Sequence, residues 1–262
     1  MSAIILQDEL VHYEVLGRGR PIIFLHGWVG SWRYWIPSMQ AASSEFRTYA
    51  LDLWGFGDTA KESDRYLLSH QQDLLENFLN EMGIGKIALI GHGLGAIVSL
   101  MFAEKYPQFV DRIMAIGLPL DTSLINPRFR QSSPEELSDW LLGNTPESQA
   151  ARQEAPKADQ EAILQTINNL ESIELTEITN RLTTPCLLVH GANDPAIENP
   201  DQDRLADLPS HMHYVSFNQS GHFPMLDQPN KFNRLMVDFL ALASGESPKE
   251  LQLKEEWRRR VR

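Results

Sequence analysis

Six short, largely apolar runs, each closed by a loop, constrain this chain most: PIIFLHG (21–27), FRTYALDL (46–53), KIALIG (86–91), DRIMAIG (111–117), CLLVHG (186–191) and HMHYVSF (211–217). A strand buried on both faces requires such a run, whereas a half-exposed strand alternates. Helical patterns at 31–42, 69–82, 94–106 and 229–243 are interleaved with them. Strand and helix alternating through short connections predict an α/β fold, a mostly parallel sheet with helices on both faces. Upstream of the Gly17 to Gly19 turn, segments 4–7 and 10–16 alternate and predict an antiparallel opening to the sheet.

The alternation breaks once, between about 121 and 182, where prolines stand at 127, 134, 146 and 156 and short helical pieces at 134–142 and 158–173. This stretch cannot supply a central strand. It reads as a small helical cap over the carboxyl ends of the strands, where open α/β sheets bind ligands; an extra helical layer on the sheet's flank is the alternative. The expected organisation is core at 1–120, cap at 121–182, core again at 183–243 and a charged tail at 244–262. That tail is the one basic piece of the chain and reads as a solvated terminal helix or a docking peptide.

The chain has 262 residues and 42% apolar or aromatic side chains, enough for a packed core of one large or two small domains. Its 23 basic and 35 acidic residues give a net charge of −12, which argues against nucleic acid and an anionic membrane surface as partners. The single cysteine, Cys186, excludes an internal disulfide and a cysteine zinc cluster and points to a reducing, cytoplasmic address. Residues 1–15 have no positive segment ahead of their apolar stretch and do not read as a signal peptide; no run approaches the length of a membrane span.

Chemistry concentrates in the loops that follow the runs: HGWVGSW (26–32), DLWGFGDT (52–59), GHGLG (91–95), GANDPAI (191–197) and SGHFPML (220–226). In order and spacing, residues 4–243 resemble the α/β-hydrolase fold, in its esterase, lactonase and haloperoxidase-like branch. The resemblance implies a nucleophile elbow, G-x-S-x-G, at Gly91-His92-Gly93-Leu94-Gly95, an acid at Asp194 and a base at His222. It also implies oxyanion donors at the backbone N–H groups of Trp28 and Leu94.

Gly93 stands where that family carries serine. Glycine has no atom to attack a carbonyl, so no acyl-enzyme can form through this position. In a serine protease, loss of the nucleophile costs about 10⁶ in turnover. Oxyanion hole and binding alone still leave roughly 10³ to 10⁴ over water. No neighbour is a convincing substitute: His92 is expected to point away from the pocket, Ser99 lies more than a turn into the next helix, and Cys186 begins its strand at the far end.

GHGLGA also satisfies the dinucleotide pattern G-x-G-x-x-G/A. It falls on the third parallel strand, however, and the following strand ends without an acidic residue for a ribose. No motif argues for a metal or an organic cofactor. For the acid, Asp121 is the alternative to Asp194. His26 reads as a brace for its loop backbone and Asp52 as a tie for its glycine-rich turn. Trp28, Trp32, Trp35 and Trp54 crowd into residues 28–54, and some of them, with His26, His92 and Phe223, are expected to line an apolar pocket for a small organic ligand.

Three readings follow. The chain is a ligand-binding or scaffold protein on a hydrolase fold; or it is an enzyme in which His222 activates water or removes a substrate proton without residue 93; or it is an engineered serine-to-glycine variant of an ordinary esterase. A small ester- or carbonyl-type substrate is the expected partner, and the sequence names no protein partner.

Overall fold

A computed structural model describes residues 2–253. Its strands are β1 (Ser2–Leu6), β2 (Glu9–Gly17), β3 (Arg20–Leu25), β4 (Phe46–Leu51), β5 (Ile87–His92), β6 (Val110–Ile116), β7 (Cys186–Gly191) and β8 (Met212–Phe217). They form one sheet in the order β1-β2-β4-β3-β5-β6-β7-β8. β1 and β2 are antiparallel, β2 runs antiparallel to β4, and every pairing from β4 onward is parallel. The β1–β2 hairpin closes through Gln7 and Asp8, both at positive φ, the tight turn whose twist matches its strands.

The helices are α1 (Ile36–Ala42), α2 (Leu68–Glu81), α3 (Leu94–Lys105), α4 (Pro134–Leu141), α5 (Pro146–Glu154), α6 (Gln160–Leu170), α7 (Leu175–Arg181), α8 (Gln202–Ala206), α9 (Pro224–Asp227) and α10 (Pro229–Leu240). The central strands are buried along their length because helices cover both faces; β5 and β7 have no exposed residue. α3 is buried from Leu94 to Ala103, as the apolar LGAIVSLMFA requires. Among the described residues, no helix is long and apolar enough to cross a membrane.

Chain order reverses at β3, with β4 on one side and β5 on the other. A crevice opens at the carboxyl ends of strands that part in this way. Between β6 and β7 the chain forms α4 to α7 with short 3-10 turns. This segment is fastened to the core loops by the bonds Trp28 Nε1–H to Thr166 Oγ1 at 2.9 Å, Ser31 Oγ–H to Glu154 at 3.2 Å and Tyr66 O–H to Asp159 at 2.7 Å. Glu154 also pairs with Arg33 at 3.0 Å and Lys157 at 3.0 Å. Of the tail, Pro248–Leu253 forms a 3-10 turn with Leu251 buried, and the basic residues from 254 onward lie outside the described residues.

Candidate active site

The turn from β5 into α3 fixes the centre of the site. Gly93 takes φ 48° and ψ −108°, a left-handed conformation that costs glycine nothing and other residues about 1–2 kcal/mol. Its N–H donates to the Ile116 carbonyl at 2.8 Å, and its own carbonyl accepts from Ala96 and Ile97 at 3.1 Å. Gly95 N–H donates to the His26 carbonyl at 3.0 Å. That leaves the N–H of Leu94 at the head of the helix, where the dipole favours negative charge. A Cβ on residue 93 would sit 3.3 Å from the Trp28 indole, which is fully buried above it.

Asp194 and His222 come from the loops after β7 and β8 and meet at 2.9 Å, Oδ2 to Nδ1. The other carboxylate oxygen accepts from the N–H groups of Ala196 at 2.8 Å and Ile197 at 3.2 Å. Burial pushes Asp194 up, but His222 beside it and these two amides outweigh burial and hold the carboxyl below its usual range. The carboxylate is therefore ionised and orients the imidazole by accepting from Nδ1–H. At the ring's opposite end, His222 Nε2 is buried and has no hydrogen-bond partner. The ring is enclosed by aromatic groups: His92 at 4.6 Å, Phe223 at 5.1 Å and Phe129 at 6.1 Å between centroids. Phe129 in turn packs at 5.4 Å on Trp28.

His92 does not turn away from this centre, as the sequence suggests. The approach of β5 to the loop after β8 leaves its ring against His222 and Phe223, with Nε2 at 2.9 Å from the His222 carbonyl oxygen and Nδ1 at 3.1 Å from the Tyr34 hydroxyl. Burial, then the neighbouring His222, drives His92 well below the ordinary imidazole range, so it is neutral.

The remaining candidates sort by location. Phe223 lies in the cluster with His222. His26 braces its loop: Nδ1 meets the Gly27 carbonyl at 2.7 Å and Nε2 accepts from Leu53 N–H at 3.0 Å. Trp35 packs under the site against Phe24, Tyr34 and Phe232, and Trp32 packs beside His12. Trp54 is held at its backbone by Gln71 and covered by Arg65. Asp121 caps the turn at Ser123, is half-exposed and pairs with Arg204 at 3.9 Å, while His222 Nδ1 bonds to Asp194. Cys186 starts β7 and is buried, and Ser99 bonds back to the Gly95 carbonyl at 2.7 Å.

A second buried pair has no counterpart in the sequence reading. His12 on β2 meets Asp52 at 2.9 Å, and Asp52 also accepts from Trp32 N–H at 2.8 Å and Asp58 N–H at 3.0 Å. Nothing local marks His12, whose partner lies 40 residues away; its place on the inward face of β2 is the only signal. One ligand atom each of His12, Asp52 and Asp58 falls within 4.8 Å of the others, the one such group among the described residues. Lys157 sits on Asp58 at 2.9 Å and already supplies a cation there.

The reversal of strand order at β3, a glycine elbow feeding α3 and a buried Asp–His pair on the loops after the last two parallel strands define a hydrolase-type α/β protein. The alpha/beta hydrolase fold model matches residues 20–158, more than half of the chain, and the chain belongs to that family. It is 26% identical, over 94% of its own length and 97% of the relative's, to a Yersinia enterocolitica protein provisionally named carbamate hydrolase RutD. An esterase from Exiguobacterium antarcticum shares the fold with a TM-score of 0.81 at 16% identity, covering 92% of this chain and 99% of that one. So does a serine-to-glycine mutant of the N-acyl homoserine lactonase AidH complexed with N-hexanoyl homoserine lactone, with a TM-score of 0.79 at 18% identity over 91% and 96% of the two chains.

Proposed function

We propose that this hydrolase-family protein acts on a small, largely apolar ester- or carbonyl-type molecule without a covalent serine step. Asp194 orients His222, and His222 Nε2 takes a proton from water or from an acidic carbon of the substrate. When water attacks, its oxygen bonds to the carbonyl carbon and the backbone N–H groups of Trp28 and Leu94 stabilise the oxyanion. Collapse then breaks the bond to the leaving group, which recovers the proton from His222. Residues 121–182 act as the cap. One observation carries the reading: on the loops after β7 and β8 of an alpha/beta hydrolase chain, Asp194 holds Nδ1 of His222 at 2.9 Å and leaves its Nε2 unbonded, a state that Nε2 of His12 and three other imidazole nitrogens share without that setting. The relatives' names, a carbamate hydrolase, an esterase and a lactonase, support a carbonyl carbon bound to a heteroatom as the target.

A second reading, binding without turnover, is favoured by the glycine-substituted lactonase that is complexed with its lactone. Activated short-chain esters separate the two. The serine-free enzyme predicts slow turnover by the parent chain, roughly 10³ to 10⁴ over water at most, that disappears in His222→Ala. Gly93→Ser is expected to raise that rate. No turnover by the parent, with tight binding of a non-hydrolysable ester analogue, would replace this reading by the second.

A further inference from the structure

Between the loop that carries the Trp28 amide and the loop that carries His222 runs a buried chain of three hydrogen bonds. Gly27 N–H meets the Tyr34 hydroxyl at 2.7 Å, the hydroxyl meets His92 Nδ1 at 3.1 Å, and His92 Nε2 meets the His222 carbonyl oxygen at 2.9 Å. Only one assignment of protons satisfies all three. The Gly27 amide can only donate, so the Tyr34 oxygen accepts from it. The single hydroxyl proton then goes to His92 Nδ1, which leaves the His92 proton on Nε2, facing a carbonyl that can only accept. Burial pushes the Tyr34 phenol well above its ordinary value and keeps that proton in place.

Both side chains are sealed, with His92 at 0% and Tyr34 at 1% exposure, and Phe223 packs on the pair at 4.8 and 5.6 Å. The close approach is built into the backbone, because a Cβ on Gly27 would come within 2.9 Å of His92 Nδ1. Each bonds only to loop backbone or to the other. We propose that Tyr34 and His92 are positioning residues that set the separation between the His222 base and the oxyanion donor next to Gly27. The inference rests on the roles proposed for those two groups, and it identifies residues that hold them in register. Such support matters because a misplacement of about 1 Å can cost a site 10²-fold.

The test reads the low-field proton on His222 Nδ1, bonded to Asp194, by NMR on the full chain; His222→Gln assigns it. His92→Phe and Tyr34→Phe keep the ring volumes and break the chain at different links. Each is expected to speed exchange of that proton with water by about tenfold, the worth of one net hydrogen bond. The double variant should exceed neither single one, because the chain acts as a unit. His92→Gln, whose amide can still donate to the His222 carbonyl, should return most of the protection. Ser38→Ala, which deletes a buried bond to Asn233 elsewhere, should leave exchange unchanged. Unchanged exchange in either folded Phe variant, or effects that sum in the double, overturns the proposal. Exchange that responds while esters neither bind nor react keeps the relay and removes the proposed function; unaltered exchange with His222-dependent turnover does the reverse.

Discussion

The molecule holds two buried histidine–aspartate pairs with the same 2.9 Å contact, His12 with Asp52 and His222 with Asp194. Their surroundings differ. His12 faces Asp52, with Asp58 and Glu14 behind it, and although burial pulls the imidazole down, these carboxylates outweigh it and hold the group above its ordinary value. His222 faces aromatic rings. Pair geometry alone therefore does not mark a reactive site. Nor does an unbonded second nitrogen, since Nε2 of each ring is buried without a hydrogen bond; what differs is its setting, Glu14 at 3.6 Å from His12 Nε2 and aromatic rings around His222.

The comparison is broken most severely by removing the carboxylates. Asp52 joins three separate elements, through His12 on β2, Trp32 before α1 and Asp58 in its own turn. Asp52→Ala strands three buried donors and is expected to cost about 3–5 kcal/mol in urea unfolding. Asp194 holds His222 and two amides of its own loop, which can relax toward other partners. Asp194→Ala is expected to cost about half as much. An equal or reversed order would show that the first pair is not the structural one.

The histidines sharpen the contrast from the other side. His222→Ala should remove ester turnover by at least about 100-fold, the usual share of a general base. His12→Gln should leave the rate per folded molecule unchanged, as measured at a concentration of protein corrected for folding. A comparable loss from His12→Gln would mean that the glycine-rich turn participates in the chemistry.

A third comparison fills the open nitrogen. Gly93→Ala carries the strain of a left-handed backbone and the press against Trp28, and is expected to destabilise by about 1–2 kcal/mol. Gly93→Ser carries the same strain, but under the proposed roles its hydroxyl meets His222 Nε2, which returns about 1 kcal/mol. Serine should thus be the more stable of the two in thermal unfolding. If alanine equals serine, Nε2 is not aimed at residue 93.

Much of this was legible in the chain. Apolar runs produced the strands because a strand buried on both faces admits little else, and PIIFLHG, KIALIG and CLLVHG carry β3, β5 and β7. Asp194 and His222 came from the resemblance that the order and spacing of the loops carries, and the structure brings the two to 2.9 Å. His12 with Asp52 was not legible, because a pairing across 40 residues leaves no mark in either neighbourhood. The orientation of His92 has a related cause: the side chain is expected to point away on the far side of the turn, but its place is decided by the incoming loop that carries His222 and Phe223. Trp35 shows the same limit, since only tertiary packing assigns it to Phe24 and Phe232 and not to a pocket wall.

The smallest expected effect is also the most diagnostic, because the two pairs lose their stabilisation at opposite ends of the pH scale. The folded value of Asp194 is depressed, so its contribution is present above the unfolded carboxyl value of about 3.9 and disappears as pH falls through the lower folded value. The folded value of His12 is raised, so its contribution is complete below about 6.5 and disappears as pH rises through the higher folded value. Thermal midpoints measured from pH 3 to 9 should show Asp194→Asn flattening only the acid limb and His12→Gln only the limb above about 6.5. A His12 variant that alters the acid limb instead would mean that its imidazole is held neutral, and the contrast between a histidine among carboxylates and one among aromatic rings would collapse.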